Sequence, residues 1–214
     1  MTAKKVKSYT FYYITYLLVV WTVYRFFLGF SDIAEELLIK PLIWLLPIFL
    51  ILKKENKDLS SIGITKKNLF KGIYFALALG AVFAIEALFA NFAKYDGFNF
   101  SANIGDEAVL VSLGLSFATA FSEEISFRGY VFTRLWERSK NEFLANAITS
   151  IFWALIHVPI VIFVWGLPMQ SAFIYLLLTT LFGIGSAFIY ARTKNVFSSI
   201  FLHVLWEWPI ILFR

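Results

Sequence analysis

Long apolar runs, each near the ~20 residues that a helix needs to cross a hydrocarbon core of ~30 Å, follow one another along most of this chain. Short charged segments separate them. Composition points the same way. Of 214 residues, 60% are hydrophobic, 20% aromatic and only 15% charged, and a soluble fold of this size could not hide that much apolar surface. A soluble enzyme, a disordered regulator and a secreted disulfide scaffold are thereby excluded. The chain has no cysteine, which removes thiol catalysis, Cys-ligated zinc and disulfides. The expected fold is all-α, a polytopic transmembrane helix bundle, with residues 1–214 forming a single integral membrane domain.

Seven spans are expected, with six or eight as the tolerated range, at about 9–30, 37–52, 73–92, 107 to beyond 130, 143–164, 172–191 and 196–213. The second is interrupted by Pro41 and Pro47, so a kinked or re-entrant helix is expected there. The fourth is longer than one crossing requires. The first is too long for a cleavable signal peptide, carries Arg25 and lacks a small-residue cleavage site, so it is expected to stay in the mature protein.

The net charge of +5 is distributed as a topology signal rather than as a phosphate-binding surface, and no nucleic-acid partner is expected. Lys4, Lys5 and Lys7, six lysines between Lys53 and Lys71, Arg134 with Arg138 and Lys140, and Arg192 with Lys194 fall in alternate segments and make up 14 of the 19 positive charges. The intervening segments hold Lys40, Lys94 and Arg214 beside Asp32, Glu35, Glu36, Asp96, Asp106 and Glu107. The positive-inside rule then puts the N-terminus in the cytoplasm. The 53–71 segment reads as a polar cytoplasmic loop.

Few ionisable residues remain at membrane depth: Arg25, Glu86, Glu123, Glu124, Arg128, His157, His203 and Glu207. Such groups are costly in lipid and normally face a cavity or a partner. Both histidines of the chain are among them. At 1.5 Å per residue, Glu123, His157 and His203 lie roughly 15, 20 and 10 Å from the expected cytoplasmic ends of their helices, so three helices bring them to a comparable level. Glu124 and Arg128 are spaced i,i+4 with the acid first, the better order for a helical ion pair. Glu123 is turned about 100° away and has no local partner. A carboxylate without a countercharge at low dielectric holds a proton readily, which nominates Glu123 as a general base and Glu124–Arg128 as its support. His203 and Glu207 share one face of the last helix. Trp153 lies one turn before His157, and Pro159 is placed to disturb the helix and free backbone carbonyls there. The plainer readings are that Glu124–Arg128 only ties helices together and that each histidine is a structural hydrogen-bonder. Arg25 and Glu86 read as a structural pair or as snorkelling groups, and the aromatic residues as packing or lipid-facing.

Glu123-Glu124-x-x-x-Arg128, an aromatic-x-x-x-His ending at His157 on the next helix, and His203 on the last resemble the CPBP family, the CAAX proteases and bacteriocin-processing enzymes also called the Abi family. The resemblance covers roughly residues 110–208, and the family-like core is expected at about 107–213. It implies an intramembrane glutamate protease in which Glu123 activates water with the help of His157, Glu124 and Arg128 order the site, and His203 stabilises the oxyanion. It implies no metal and no cofactor. Two positions depart from the family pattern: Trp153 stands where Phe is usual, and Glu207 where an Asn usually donates a hydrogen bond to the oxyanion. Glu207 can do that work only when protonated; otherwise it holds His203 as imidazolium or marks an altered site. It also opens a metal reading, with Glu123, His157, His203 and Glu207 as N/O ligands, although no HExxH is present.

The expected function is therefore a membrane-embedded endopeptidase acting on a lipidated or leader-type peptide in the bilayer, with a bacterial cell membrane as its location. The alternatives are a non-catalytic immunity or binding protein that recognises a bacteriocin on the same scaffold, and a proton-coupled carrier.

Overall fold

The computed structural model describes residues 3–99 and 109–212, with side chains described except at 3–8, 90, 93–95 and 210–212. Lys4, Lys5, Lys7, Lys94, Asp106, Glu107 and Arg214, which enter the charge argument, lie outside the described side chains. Among the described residues seven long helical segments follow one another: α1 (Ala3–Phe27), α2 (32–55), α3 (Leu69–Tyr95), α4 (Val109–Ser139), α5 (Glu142–Val164), α6 (Met169–Thr193) and α7 (Val196–Leu212). One 3₁₀ turn, Leu59–Ile62, lies between α2 and α3, and no strand occurs among these residues. The all-α expectation holds.

The outward surface is apolar on a scale that water does not tolerate: Phe70 is 76%, Leu110 79% and Phe143 83% exposed. The polar groups are inside. Segments of α3, α4, α5 and α6 are long and apolar enough to cross a membrane by length and composition. This is an integral membrane protein.

Helices in lipid gain little from apolar burial and associate through close packing and interhelical hydrogen bonds. The seam between α3 and α7 shows the first device. Gly72, Ala76 and Gly80 recur every fourth residue, and a Cβ on Gly72 or Gly80 would come within 2.8 Å of Ser198 or 2.9 Å of Leu205 on α7. The α4 helix packs along the other side of α7, and α5 lies against α6. Asn56, Asp96, Lys140 and Lys194 end α2, α3, α4 and α6 in left-handed conformation, the geometry that closes the last turn of a helix.

Three helices, α2, α4 and α5, depart from regular α geometry where it bears on the site, and in α5 the stretch Ile160–Val164 is π-helical. In α2 the stretches Glu35–Ile39 and Pro41–Leu45 are π-helical, and the regular helix begins only at Leu46. Pro41 cannot donate to the carbonyl one turn back, which favours the wider turn. The segment is thus a continuous helix with two widened stretches and not a re-entrant hairpin. In α4 residues Ile125–Phe132 are π-helical, directly after the two glutamates.

The α1–α2 hairpin is fastened by a pairing that replaces one expected from sequence. Arg25 pairs with Glu35, not with Glu86, and the Tyr24 hydroxyl donates to the same Glu35 carboxylate at 2.9 Å. The short link 28–31 brings the end of α1 beside the start of α2, so Glu35 is the nearer acid.

The 53–71 segment is held firmly. The Ser60 hydroxyl and the Ser61 N–H both donate to Asp58, which keeps its carboxyl below the usual carboxylate range. Fully buried Asn195, in the α6–α7 link, donates to the carbonyls of Thr65 and Lys67 at 2.8 Å each and accepts from the Phe197 N–H at 2.9 Å. Asn195→Ala leaves three backbone groups without their partner, so we expect a loss of about 3 kcal/mol in stability, read as a lowered melting temperature in detergent.

Candidate active site

Glu123 and Glu124 end the α-helical part of α4, and both are buried, at 5% and 0% exposure. They face different partners. One oxygen of Glu124 accepts from Arg128 Nη1 at 3.1 Å and from His203 Nδ1 at 2.9 Å, and the other accepts from the Ser186 hydroxyl at 2.7 Å. Glu124 thereby joins α4, α6 and α7. Arg128 is fully buried, and its guanidinium lies 4.6 Å from the centre of the Trp153 ring. The ring face covers a cation whose Nε and Nη2 have no hydrogen-bond acceptor. Gly183 of α6 makes the space for it, since a Cβ there would stand 3.2 Å from Nη2.

Glu123 is not the unpartnered carboxylate that its sequence context suggests. Lys40 Nζ lies 3.2 Å from Oε1, and Trp153 Nε1–H donates to Oε2 at 2.8 Å. His157 Nε2 is 3.9 Å from the same Oε2. The correction has a tertiary cause. No residue of α4 supplies the countercharge; it comes from α2, 83 positions away in sequence. The charge pattern of the sequence places Lys40 in an external segment, yet it is 3% exposed and inside the bundle. Its proximity to Glu36 at i−4 and to Pro41 in an apolar stretch was the available signal. Trp153 likewise does more than pack.

The break in α5 sets the orientation of His157. Pro159 has no N–H, and the chain tightens before it: the His157 N–H bonds to the Ala154 carbonyl at 3.0 Å instead of to that of Trp153. The freed Trp153 carbonyl is taken by His157 Nδ1 at 2.7 Å. A carbonyl only accepts, so Nδ1 carries a proton, and in the neutral ring Nε2 presents its lone pair on the side of Glu123. The expectation that Pro159 frees a carbonyl near His157 is realised in the hydrogen bonding. The same argument puts a proton on His203 Nδ1, which faces the Glu124 carboxylate. The His203 ring packs edge-on to Trp153, with centroids 5.5 Å apart, and against Phe182 at 5.1 Å.

Glu207, one turn beyond His203, accepts from the Ser116 hydroxyl of α4 at 2.8 Å. The structure thus gathers all six residues singled out from sequence, Glu123, Glu124, Arg128, His157, His203 and Glu207, into one polar centre among α4, α5 and α7. It adds Lys40, Ser116 and Ser186. Among the described residues no three or more His, Cys, Asp or Glu side chains are grouped so as to share a metal ion. An apolar crevice of about 470 Å³ opens beside this centre between α2, α4 and α7, lined among others by Glu36, Pro41, Phe117, Ser122 and Phe201.

Part of the chain is similar to known proteins. Residues 105–209 match the family described as Type II CAAX prenyl endopeptidase Rce1-like. A curated protein of Bacillus subtilis named "Putative membrane peptidase YdiL" is 32% identical over 92 residues, which are 43% of this chain and 32% of that protein. The chain therefore aligns with about a third of the length of this relative. The match covers just under half of the chain and falls on the segment whose motifs resemble the CPBP family.

Glu124→Ala would leave the Arg128 charge buried without its carboxylate, and breaking such a pair from one side costs about 3–5 kcal/mol. We expect Glu124→Ala and Arg128→Ala each to lower the melting temperature sharply, and Glu124→Met/Arg128→Met to lower it by less than the sum of the single changes. Additive losses across this set, measured by thermal unfolding in detergent, would show that the two side chains do not act as a pair.

Proposed function

We propose that the protein is an intramembrane endopeptidase that hydrolyses a membrane-associated peptide with a water molecule activated by Glu123 and His157, without a metal. The observation that carries this reading is the 3.9 Å gap between Glu123 Oε2 and His157 Nε2. It is too long for a direct hydrogen bond and suits a water bridging a carboxylate and an imidazole lone pair.

The chemistry runs in two steps. Glu123 takes a proton from water as the water oxygen bonds to the scissile carbonyl carbon, and the carbonyl electron pair moves onto its oxygen. Collapse of the tetrahedral species reforms the carbonyl and breaks the C–N bond, and the amine leaves with the proton held by Glu123, which returns as carboxylate. His157, fixed by the Trp153 carbonyl, positions the water. His203, held by Glu124, is the donor on the oxyanion side, and donors of this kind typically contribute a large share of the rate. Glu124, Arg128 and Ser186 keep His203 in place. The apolar crevice beside Ser122 suits a lipid-anchored peptide entering sideways from the bilayer, which favours a prenylated or otherwise lipidated substrate over a soluble one. A leader-type peptide on a membrane anchor would enter by the same route.

This reading goes with seven spans, a cytoplasmic N-terminus and residence in a bacterial cell membrane, as the distribution of lysine and arginine suggests. A second reading, a non-catalytic protein that binds or confers immunity to a bacteriocin on the same scaffold, is favoured by one observation: both oxygens of Glu123 already have partners, and Glu207 brings another carboxylate to the oxyanion side.

Purified protein incubated with prenylated CAAX peptides and with leader-type peptides decides between them. Cleavage is expected for the wild type, a fall of at least about 10³-fold in kcat for Glu123→Ala at unchanged expression and insertion, and no effect of a chelator. Full activity in Glu123→Ala would overturn the mechanism, loss of activity with chelator would overturn its metal independence, and tolerance of alanine at both Glu123 and His157 in an immunity assay would support the second reading.

A further inference from the structure

The polar centre is richer in acid than its assigned roles need. Glu36, Glu123, Glu124 and Glu207 bring four carboxylates to it, against the cations Arg128 and Lys40. Arg128 is spoken for by Glu124. Lys40 faces the other three: its Nζ lies 2.7 Å from Glu36 and 3.2 Å from Glu123, and it shares the electrostatic field of Glu207 with His203. Its ammonium sits 5.7 and 5.8 Å from the ring centres of Trp21 and Trp44, so two aromatic faces from α1 and α2 complete its shell.

A lysine buried to this degree is costly unless carboxylates hold it. The backbone is shaped to bring it in. Lys40 stands between the two π-helical stretches of α2, and each widened turn re-phases the residues that follow it, turning the ammonium towards α4. None of these features falls within residues 105–209.

We propose that Lys40 is a positioning residue of the hydrolytic site, its ammonium fixing Glu123 against the water and offsetting the negative charge of Glu207, so that the α1–α2 hairpin completes a reaction centre otherwise built from α4 to α7. The inference rests on the hydrolytic reading above. Its physical content is a charge balance. When the tetrahedral species forms, Glu123 becomes neutral by taking the water proton and the negative charge moves to the oxyanion beside Glu207, where a fixed cation in a dry site offsets it without reorganisation. Without Lys40, that charge must move towards Glu207 while neither Glu207 nor Glu36 has the ammonium to offset it. Lys40 and Glu207 are therefore coupled: the cost of losing the cation depends on whether the acid at 207 is present.

The test is a set of variants assayed on a prenylated CAAX peptide in detergent or in vesicles. Lys40→Met is expected to lower kcat by about 10- to 100-fold, the effect of one lost charged hydrogen bond, with KM little changed. Adding Glu207→Gln to Lys40→Met is expected to restore about tenfold of that loss, a rescue that a merely structural lysine would not show. Because Lys40→Met alone could fail to fold, Lys40→Met/Glu36→Met, which removes the buried pair from both sides, is measured in parallel and is expected to show the same fall in kcat and the same rescue. Wild-type kcat in either lysine variant while Glu123→Ala is inactive would overturn this inference alone, as would a Glu207→Gln change that multiplies the loss instead of relieving it. Full activity in Glu123→Ala, or no cleavage by the wild type, would overturn the hydrolytic reading and this inference with it.

Discussion

Arg128 is a fully buried cation, held in the middle of an apolar bundle by one carboxylate and the rings of Trp153 and Phe182. Much of the site depends on that pair. Glu124 neutralises Arg128 along α4, and its remaining capacity reaches Ser186 on α6 and His203 on α7. In a soluble protein such a pair is weak evidence for stability, because desolvation offsets the attraction. In lipid the alternative to pairing is an uncompensated ion, so the network also dictates which helices must be neighbours. The residues that order the site and those that order the fold are here the same residues.

Irregular backbone is the second ingredient. The π-helical turns of α2 and α4 and the tightened turn before Pro159 occur at Lys40, just after Glu123-Glu124 and at His157. Each departs from the regular ladder where a polar side chain has to be aimed at a neighbouring helix. At His157 the chain tightens before Pro159, the His157 N–H turns to the Ala154 carbonyl, and the imidazole takes the Trp153 carbonyl that this leaves open. Small residues do complementary work, with Gly183 leaving room for the guanidinium and the Gly72–Ala76–Gly80 stripe letting α3 close on α7.

Both kinds of feature bear on how Glu123 differs from Glu124. The two acids are adjacent in sequence and equally deep, yet one is enclosed by a stable network and the other meets a lysine, an indole N–H and an imidazole lone pair at 3.9 Å. In the proposed mechanism the acid surrounded in the second way exchanges a proton with water, and the acid surrounded in the first way holds His203 still.

The helical, membrane-embedded nature of the chain and the six polar residues of the site were legible in the sequence, because period, apolar length and the cost of charge in lipid are local properties. The i,i+4 pairing of Glu124 with Arg128 was legible for the same reason. The partners across helices were not. The charge pattern places Lys40, Glu35 and Glu36 in external segments and leaves Arg25 and Glu86 at depth as a structural pair or snorkelling groups, while packing buries Lys40 against Glu123 and brings Arg25 to Glu35. Ser116 and Ser186 carry no signal of their own, since nothing in the sequence separates them from the chain's other serines. Sequence alone determined which residues must avoid lipid; only the tertiary structure decided which of them meet, because neutralising a buried charge is a contact between helices and leaves no periodic trace along any one of them.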